Sequence, residues 1–225
     1  MAILIHLSGK FFYTFRMKNL FFSLVLVSLS AYGDNTRDGS WFGLFQKRSI
    51  TPETSLWTEV QLRYNHDTGS MGQTLFRFGG LRKLNGLHEV GLIMGYIQTD
   101  LLKEYRPTLQ HGYQFNRIGD LALSTRTRLE LRKLEDNPEE SIRFRPMIRG
   151  QYSINETLHL VAWNELFINF TEEQWTGNRT IERNRFFTGL RLPYMDMNFE
   201  IGYLNQFIPR QKDVTEHIFI LYFFY

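Results

Sequence analysis

The chain has 225 residues, no cysteine, 16% aromatic and 22% charged residues, a composition that excludes both a disulfide-stapled miniprotein and a disordered chain. Mean hydropathy is −0.30, and beyond the first 33 residues no run reaches the ~20 apolar positions of a spanning helix. The formal charge of +3 comes from residues 1–33, which hold Lys10, Arg16 and Lys18 and no acid, so the remainder carries 23 basic and 23 acidic residues and has no surplus for nucleic acid.

Met17, Lys18 and Asn19 precede the apolar run LFFSLVLVSL, and Ala31 and Gly33 stand before Asp34. This is the layout of a secretory signal peptide, with cleavage expected after Gly33 and Ser30 as the secondary site. Residues 1–33 are therefore expected to be an upstream extension plus leader, and residues 34–225 a single domain.

From Ser40 onward apolar and polar residues alternate with period two over segments of about ten residues. Strands are expected over 40–48, 56–64, 73–84, 87–98, 104–115, 121–134, 141–154, 158–170, 181–192, 197–207 and 215–225. In the sixth, Leu121, Leu123, Leu129 and Leu131 share one face while Arg126, Arg128, Glu130 and Arg132 share the other. Asn85-Gly86 reads as a two-residue primed hairpin turn. Tight turns are expected at 116–119, 155–157 and 193–196, and longer loops at 65–72, 99–103, 135–140, 171–180 and 208–214. Short turns at one end and long loops at the other suit an all-β, transmembrane, antiparallel up-and-down barrel of 10 to 12 strands. Two termini in the periplasm require an even number, so the first segment is expected to be partial or a twelfth strand hidden. Pro107 and Pro146 fall inside strands, where bulges or rim positions are expected.

Alternation alone leaves open which face is inside. A soluble barrel points its apolar face inward; a membrane barrel inverts this. The Arg/Glu column and the terminus HIFILYFFY favour inversion: Phe219, Leu221, Phe223 and Tyr225 form an every-other-residue apolar column resembling the terminal insertion signal of bacterial outer-membrane barrels. Tyr64, Tyr96, Tyr105, Tyr152, Tyr203 and Phe207 lie near expected strand ends, where aromatic girdles meet headgroups.

The inward set is then an ionic lattice of Glu59, Arg63, Glu104, Arg106, Arg126, Arg128, Glu130, Arg132, Arg143, Arg145, Arg149, Glu165, Arg183, Arg185 and Glu200, with Arg77, Glu89 and Arg191 beside them. Hairpin geometry pairs Glu130 with Arg145, Arg132 with Arg143 and Arg126 with Arg149 on one side. On the other it sets Arg106 by Glu130, Glu104 by Arg132 and Gln110 by Arg126. Glu165 falls diagonal to Arg145 and Arg149. The like-charged Arg132 and Arg143 pair calls for an anion or a loop acid. Such a lattice fills a narrow barrel; the sharper alternative is an anion-attracting pore.

No Ser, His and acid share a spacing suited to nucleophilic catalysis. His111 with Ser124 comes nearest. There is no metal-ligand cluster and no phosphate loop.

The segments LSTRTRLELRKL, IRFRPMIRGQYSI, NELFIN, ERNRFFTGLRLPY and EIGYLNQF, with the aromatic terminus, resemble the bacterial outer-membrane domain-of-unknown-function 2490 family from about Trp41 to Tyr225. Its strongest marks here are Arg126 to Glu130, Glu165 with Asn169, Arg185 with Gly189, and Gly202-Tyr203. The resemblance implies an outer-membrane barrel with no assigned activity and lends no catalytic residues. The expected protein is thus a narrow, non-enzymatic outer-membrane barrel of structural or interaction role, without metal or cofactor. Its partners are the outer-membrane bilayer, the barrel-assembly machinery during biogenesis and small anions, and not nucleic acid. A small anion-preferring pore is the alternative, and an outer-membrane lipid-modifying enzyme a remote one.

Overall fold

The computed structural model describes residues 35–171, 173–176 and 179–225; the expected leader, residues 1–33, lies outside them. Eleven strands follow in chain order: β1 (Asn35–Ser49), β2 (Thr54–Asn65), β3 (Ser70–Lys83), β4 (His88–Gln98), β5 (Lys103–Gln114), β6 (Leu121–Leu134), β7 (Glu140–Ser153), β8 (His159–Asn169), β9 (Ile181–Tyr194), β10 (Met197–Ile208) and β11 (Val214–Phe224). Each pairs antiparallel with its sequence neighbours, and β1 pairs with β11 to close the barrel.

The closing pair is parallel, running from Asn35↔Val214 to Phe45↔Phe224. This overturns the expectation of an even strand number: β1 is a full strand of 15 residues, and no twelfth occurs among the described residues. Parallel neighbours cannot be joined by a tight turn, but the first and last strands have the rest of the chain between them. Parity then decides only where the chain enters, so Asn35 and Tyr225 lie at opposite ends of the barrel. Tyr225 extends the seam, its N–H donating to the Phe45 carbonyl at 2.8 Å and its carbonyl accepting from Lys47 N–H at 3.0 Å.

Side chains sort by face as period two requires. Phe42, Phe78, Leu92, Met94, Leu109 and Ile148 point outward and are exposed, while Glu59, Arg77, Glu130, Arg145 and Glu165 are buried inside. This arrangement, apolar outside and polar within, is that of a transmembrane barrel. Aromatic pairs mark both ends of the band: Tyr96 with Tyr105 at 5.5 Å near the β4–β5 loop, and Tyr113 with Phe115 and Phe199 with Phe223 at 4.7 and 5.0 Å near the opposite rim. Where outward positions of β8 and β9 are polar, they satisfy each other, as Asn164 and Asn184 do by exchanging amide hydrogen bonds of 2.9 and 3.2 Å.

The prolines cause no bulge. On either side of Pro107 the β5–β6 register continues unchanged from Tyr105↔Lys133 to Thr108↔Glu130, and around Pro146 the β7–β8 register continues from Phe144↔Ile168 to Met147↔Glu165. A strand residue directs its N–H to one neighbour only. Phe115 N–H donates to Leu123 on β6, so the odd residues of β5, Pro107 included, face β6 and leave the β4 ladder intact. The register shifts fall elsewhere, at Arg63/Tyr64 and Phe167/Ile168.

Connections are less asymmetric than the sequence suggests. The extremes are the 170–180 segment, with a 3₁₀ turn over Gln174–Thr176, at one end and the two-residue turn Met195-Asp196 at the other; the remaining connections are similar in length at both ends. Asn85-Gly86 is not a two-residue primed turn. Positive φ among the described residues occurs only at Gly69, Gly119 and Met195. Instead the Asn85 side chain accepts the N–H groups of Leu87 and His88 at 2.8 and 2.9 Å, an Asx turn repeated at Asn65 and Asn155.

Candidate functional site: the barrel lumen

Alternation on β5, β6 and β7 sends every second side chain inward, and those places include Glu104 and Arg106 on β5, Arg126, Arg128, Glu130 and Arg132 on β6, and Arg143, Arg145 and Arg149 on β7. Glu130 is the hub, fully buried. Its Oε2 accepts from Arg143 Nε and Nη2 at 2.9 and 2.6 Å, and its Oε1 from Arg145 Nη1. Arg77 and Arg106 stand at 3.9 and 4.0 Å. Glu104 accepts from Arg132 at 2.7 and 3.2 Å and from Arg106 Nε at 2.9 Å. Glu165 accepts from Arg126 and Arg145 at 2.9 Å, with Arg185 at 3.9 Å. Glu59 accepts from Arg77 at 2.6 Å. Glu200 holds Arg149 and, at 2.8 Å, Arg191.

The register differs from the expected one by one residue at each pivot. Glu130 lies opposite Arg143, Arg128 opposite Arg145, Arg132 opposite Ser141 and Arg126 opposite Met147; on the other side Glu130 faces Thr108, Gln110 faces Arg128, Gly112 faces Arg126 and Glu104 faces Leu134. The β5–β6 reversal falls at Gly119, whose φ of 58° suits only glycine well, and the Ile118↔Leu121 bridge fixes it there. The β6–β7 reversal falls ahead of Pro138. Long side chains reach diagonally, so Glu130 still meets Arg145 and Glu104 still meets Arg132. Arg149 goes to Glu200 and not to Glu165.

Glu182 escaped the sequence reading. Strict alternation assigns it the outer face, but the β8–β9 bulge that pairs Phe167 with Arg183 and Ile168 with Ile181 turns it inward. Its Oε2 accepts from Arg132 at 3.2 Å and Arg143 at 2.6 Å, supplying the acid those two guanidiniums require. The other unread feature is apolar. Trp41, Phe45, Val161, Phe187, Leu204, Ile218, Ile220 and Tyr222 form a buried cluster inside β1 and β8 to β11. Because β11 is apolar on both faces, its alternation carries no inside–outside signal.

At the end holding the 170–180 segment, three adjoining cavities of about 220, 170 and 420 Å³ open the lumen, and Arg183 lines all of them. Arg63 lies with its guanidinium 3.8 Å from the Trp41 ring centre and bonds to Gln61 and Gln73; Arg128 bonds to Gln110 at 2.7 Å. Among the described residues neither has a carboxylate within ion-pair distance. On the rim outside the barrel wall, the hydrogen bond from Lys103 holds the Glu135 carboxyl below its ordinary value.

His111 and Ser124 do not meet: His111 points outward to His88, nitrogen to nitrogen at 3.0 Å, while Ser124 lines the inside at the opposite rim from the 170–180 segment. Ser40 Oγ and His66 Nε2 are 2.8 Å apart on an exposed edge, but among the described residues no carboxylate orients that imidazole. No group of three or more metal-ligating side chains occurs among the described residues.

Compared with known proteins, residues 38–217 match the family described as "Protein of unknown function (DUF2490)". An uncharacterized protein of Methylorubrum extorquens is 25% identical over 215 residues, covering 89% of this chain and 93% of that one. Among solved structures the NanC porin is similar, with a TM-score of 0.50 at 13% identity over 75% of this chain and 80% of that one, a likeness of fold.

Proposed function

This chain belongs to the DUF2490 family of proteins of unknown function, and from that premise we propose that it is an outer-membrane barrel, exported by a cleaved leader, whose lumen is filled rather than open and whose role is structural or an interaction. The observation that carries this reading is burial at mid-barrel: Glu130, Phe187, Arg143, Glu165, Phe167 and Arg145 are at most 3% exposed although they point to the axis. Side chains fill barrels of small strand number. Purified protein in planar bilayers is expected to give no single-channel steps, and defined steps overturn the proposal. The excess of lumen guanidiniums favours one other reading, a small anion-preferring pore, which steps with anion-selective reversal potentials would establish.

Location in the outer membrane is supported by the outward apolar band and by the terminus, where Phe219, Leu221, Phe223 and Tyr225 all take the outer face, one residue apart from the inward Ile218, Ile220 and Tyr222. We propose that this column is what the barrel-assembly machinery reads. Deleting residues 223–225 also removes the last seam bonds to β1. The heat-modifiable folded band in the outer-membrane fraction should fall severalfold, and an undiminished band would refute the assignment.

A further inference from the structure

We propose that the lumen mouth beside the 170–180 segment binds a multivalent oxyanion of the phosphate or sulfate class. Charge balance is the first argument. Five carboxylates, Glu59, Glu104, Glu130, Glu165 and Glu182, make the ionic contacts of eight arginines, and Arg63 and Arg128 stand outside even that sharing. A buried guanidinium without a counter-charge is costly in a wall surrounded by lipid, so the surplus calls for anions from solution.

Unsatisfied donors are the second argument. Among the described residues the Nε atoms of Arg77 and Arg145, on side chains only 4% exposed, have no hydrogen-bond partner, nor does the indole N–H of Trp175. Buried donors ordinarily find partners. All three residues line the same cavity of about 170 Å³, whose wall among the described residues carries eight arginines and one carboxylate, Glu104. At ~30 Å³ per water that space takes a small ion displacing a few waters. Guanidinium forks match the spaced oxygens of an oxyanion better than a spherical halide.

Access is the third. Arg183, shared by this cavity and the two outer ones, connects the site to the aqueous mouth. The outer cavity of about 420 Å³ leaves room for the remainder of a phosphate ester, so the oxyanion is either free or borne by a larger molecule. The proposal goes beyond the preceding one and holds whether or not the lumen conducts.

Full-length protein refolded in detergent is titrated by calorimetry with sodium phosphate, sodium sulfate and glycerol 3-phosphate, against sodium chloride at equal ionic strength. Saturable heat with phosphate or sulfate, absent with chloride, is expected. Saturation by phosphate identifies a free ion, and tighter saturation by glycerol 3-phosphate an esterified one. Arg183→Gln and Arg63→Gln should each weaken binding about tenfold, the scale of one charge-assisted hydrogen bond, while Lys133→Gln on the outer rim should not. No saturable heat at concentrations on the order of 10 mM, equal binding of chloride, or unchanged affinity in both arginine variants overturns the proposal. Should those variants not refold, phosphate must raise the unfolding temperature of the unaltered protein above its value in chloride; no rise overturns it equally.

Discussion

Glu130→Gln is expected to lower the stability of the barrel by about 3 to 5 kcal/mol, the scale of removing one partner from a buried ion pair. The carboxylate is fully buried, hydrogen-bonded to Arg143 and Arg145, and lies within 4.0 Å of Arg77 and Arg106. Glutamine keeps the shape, but it withdraws the charge and points an NH₂ at groups that only donate. The neighbouring acids are already shared among several guanidiniums and cannot compensate. By contrast, Glu140→Gln, which breaks the exposed pair with Lys133, is expected to cost about 0 to 1 kcal/mol. Urea titration in detergent, followed by the migration difference between folded and boiled forms, compares the two. Equal midpoints for Glu130→Gln and the unaltered protein would refute the hub assignment.

The second large effect is steric. Gly202→Val should destabilise by about 3 kcal/mol or more, at or beyond the upper end of overpacking costs, since a Cβ there would lie 2.3 Å from the Thr188 carbonyl oxygen and 2.6 Å from Gly189 Cα. Those obstacles are backbone, and the Gly202↔Gly189 register is held by a continuous ladder on both sides. The ring of Phe187 occupies the space the two glycines leave: it would stand 2.9 Å from a Cβ at Gly202 and 2.6 Å from one at Gly189. A valine therefore expels the ring as well as straining the strands. Gly80→Val is the companion variant: a Cβ at Gly80 meets nothing within 4 Å, and its effect should stay within about 0.5 kcal/mol, as for other unconstrained surface positions. A Gly202→Val barrel that unfolds at the same urea concentration as Gly80→Val would contradict the close-approach account.

Much of the wall is legible in the residues because β-structure writes itself locally. β6 occupies Leu121–Leu134, as the alternation of leucine with arginine and glutamate requires, and the other ten strands begin and end within a few residues of their sequence expectation, β1 excepted. That strand starts five residues earlier than Ser40, since Asn35 to Gly39 carry no apolar alternation and enter the sheet by pairing with Val214 to Ile218 of β11. Glu182 is illegible for a related reason: a bulge reverses the face of a residue without changing its local sequence. Arg126, Glu130 and Arg145 are readable as inward residues, but not which carboxylate each takes. One residue of turn geometry moves every partner by two places.

What the residues determined unaided is the class of the molecule: eleven alternating segments, an ionic column opposite a greasy one, and an aromatic tail, all set by period-two geometry that needs no distant contact. Only the tertiary structure decided that the first and last strands close in parallel, that Glu182 turns inward to serve Arg132 and Arg143, and that an apolar cluster is buried inside β1 and β8 to β11. Each of these depends on which strand lies beside or across from which, a relation between residues far apart in the chain that no local pattern records.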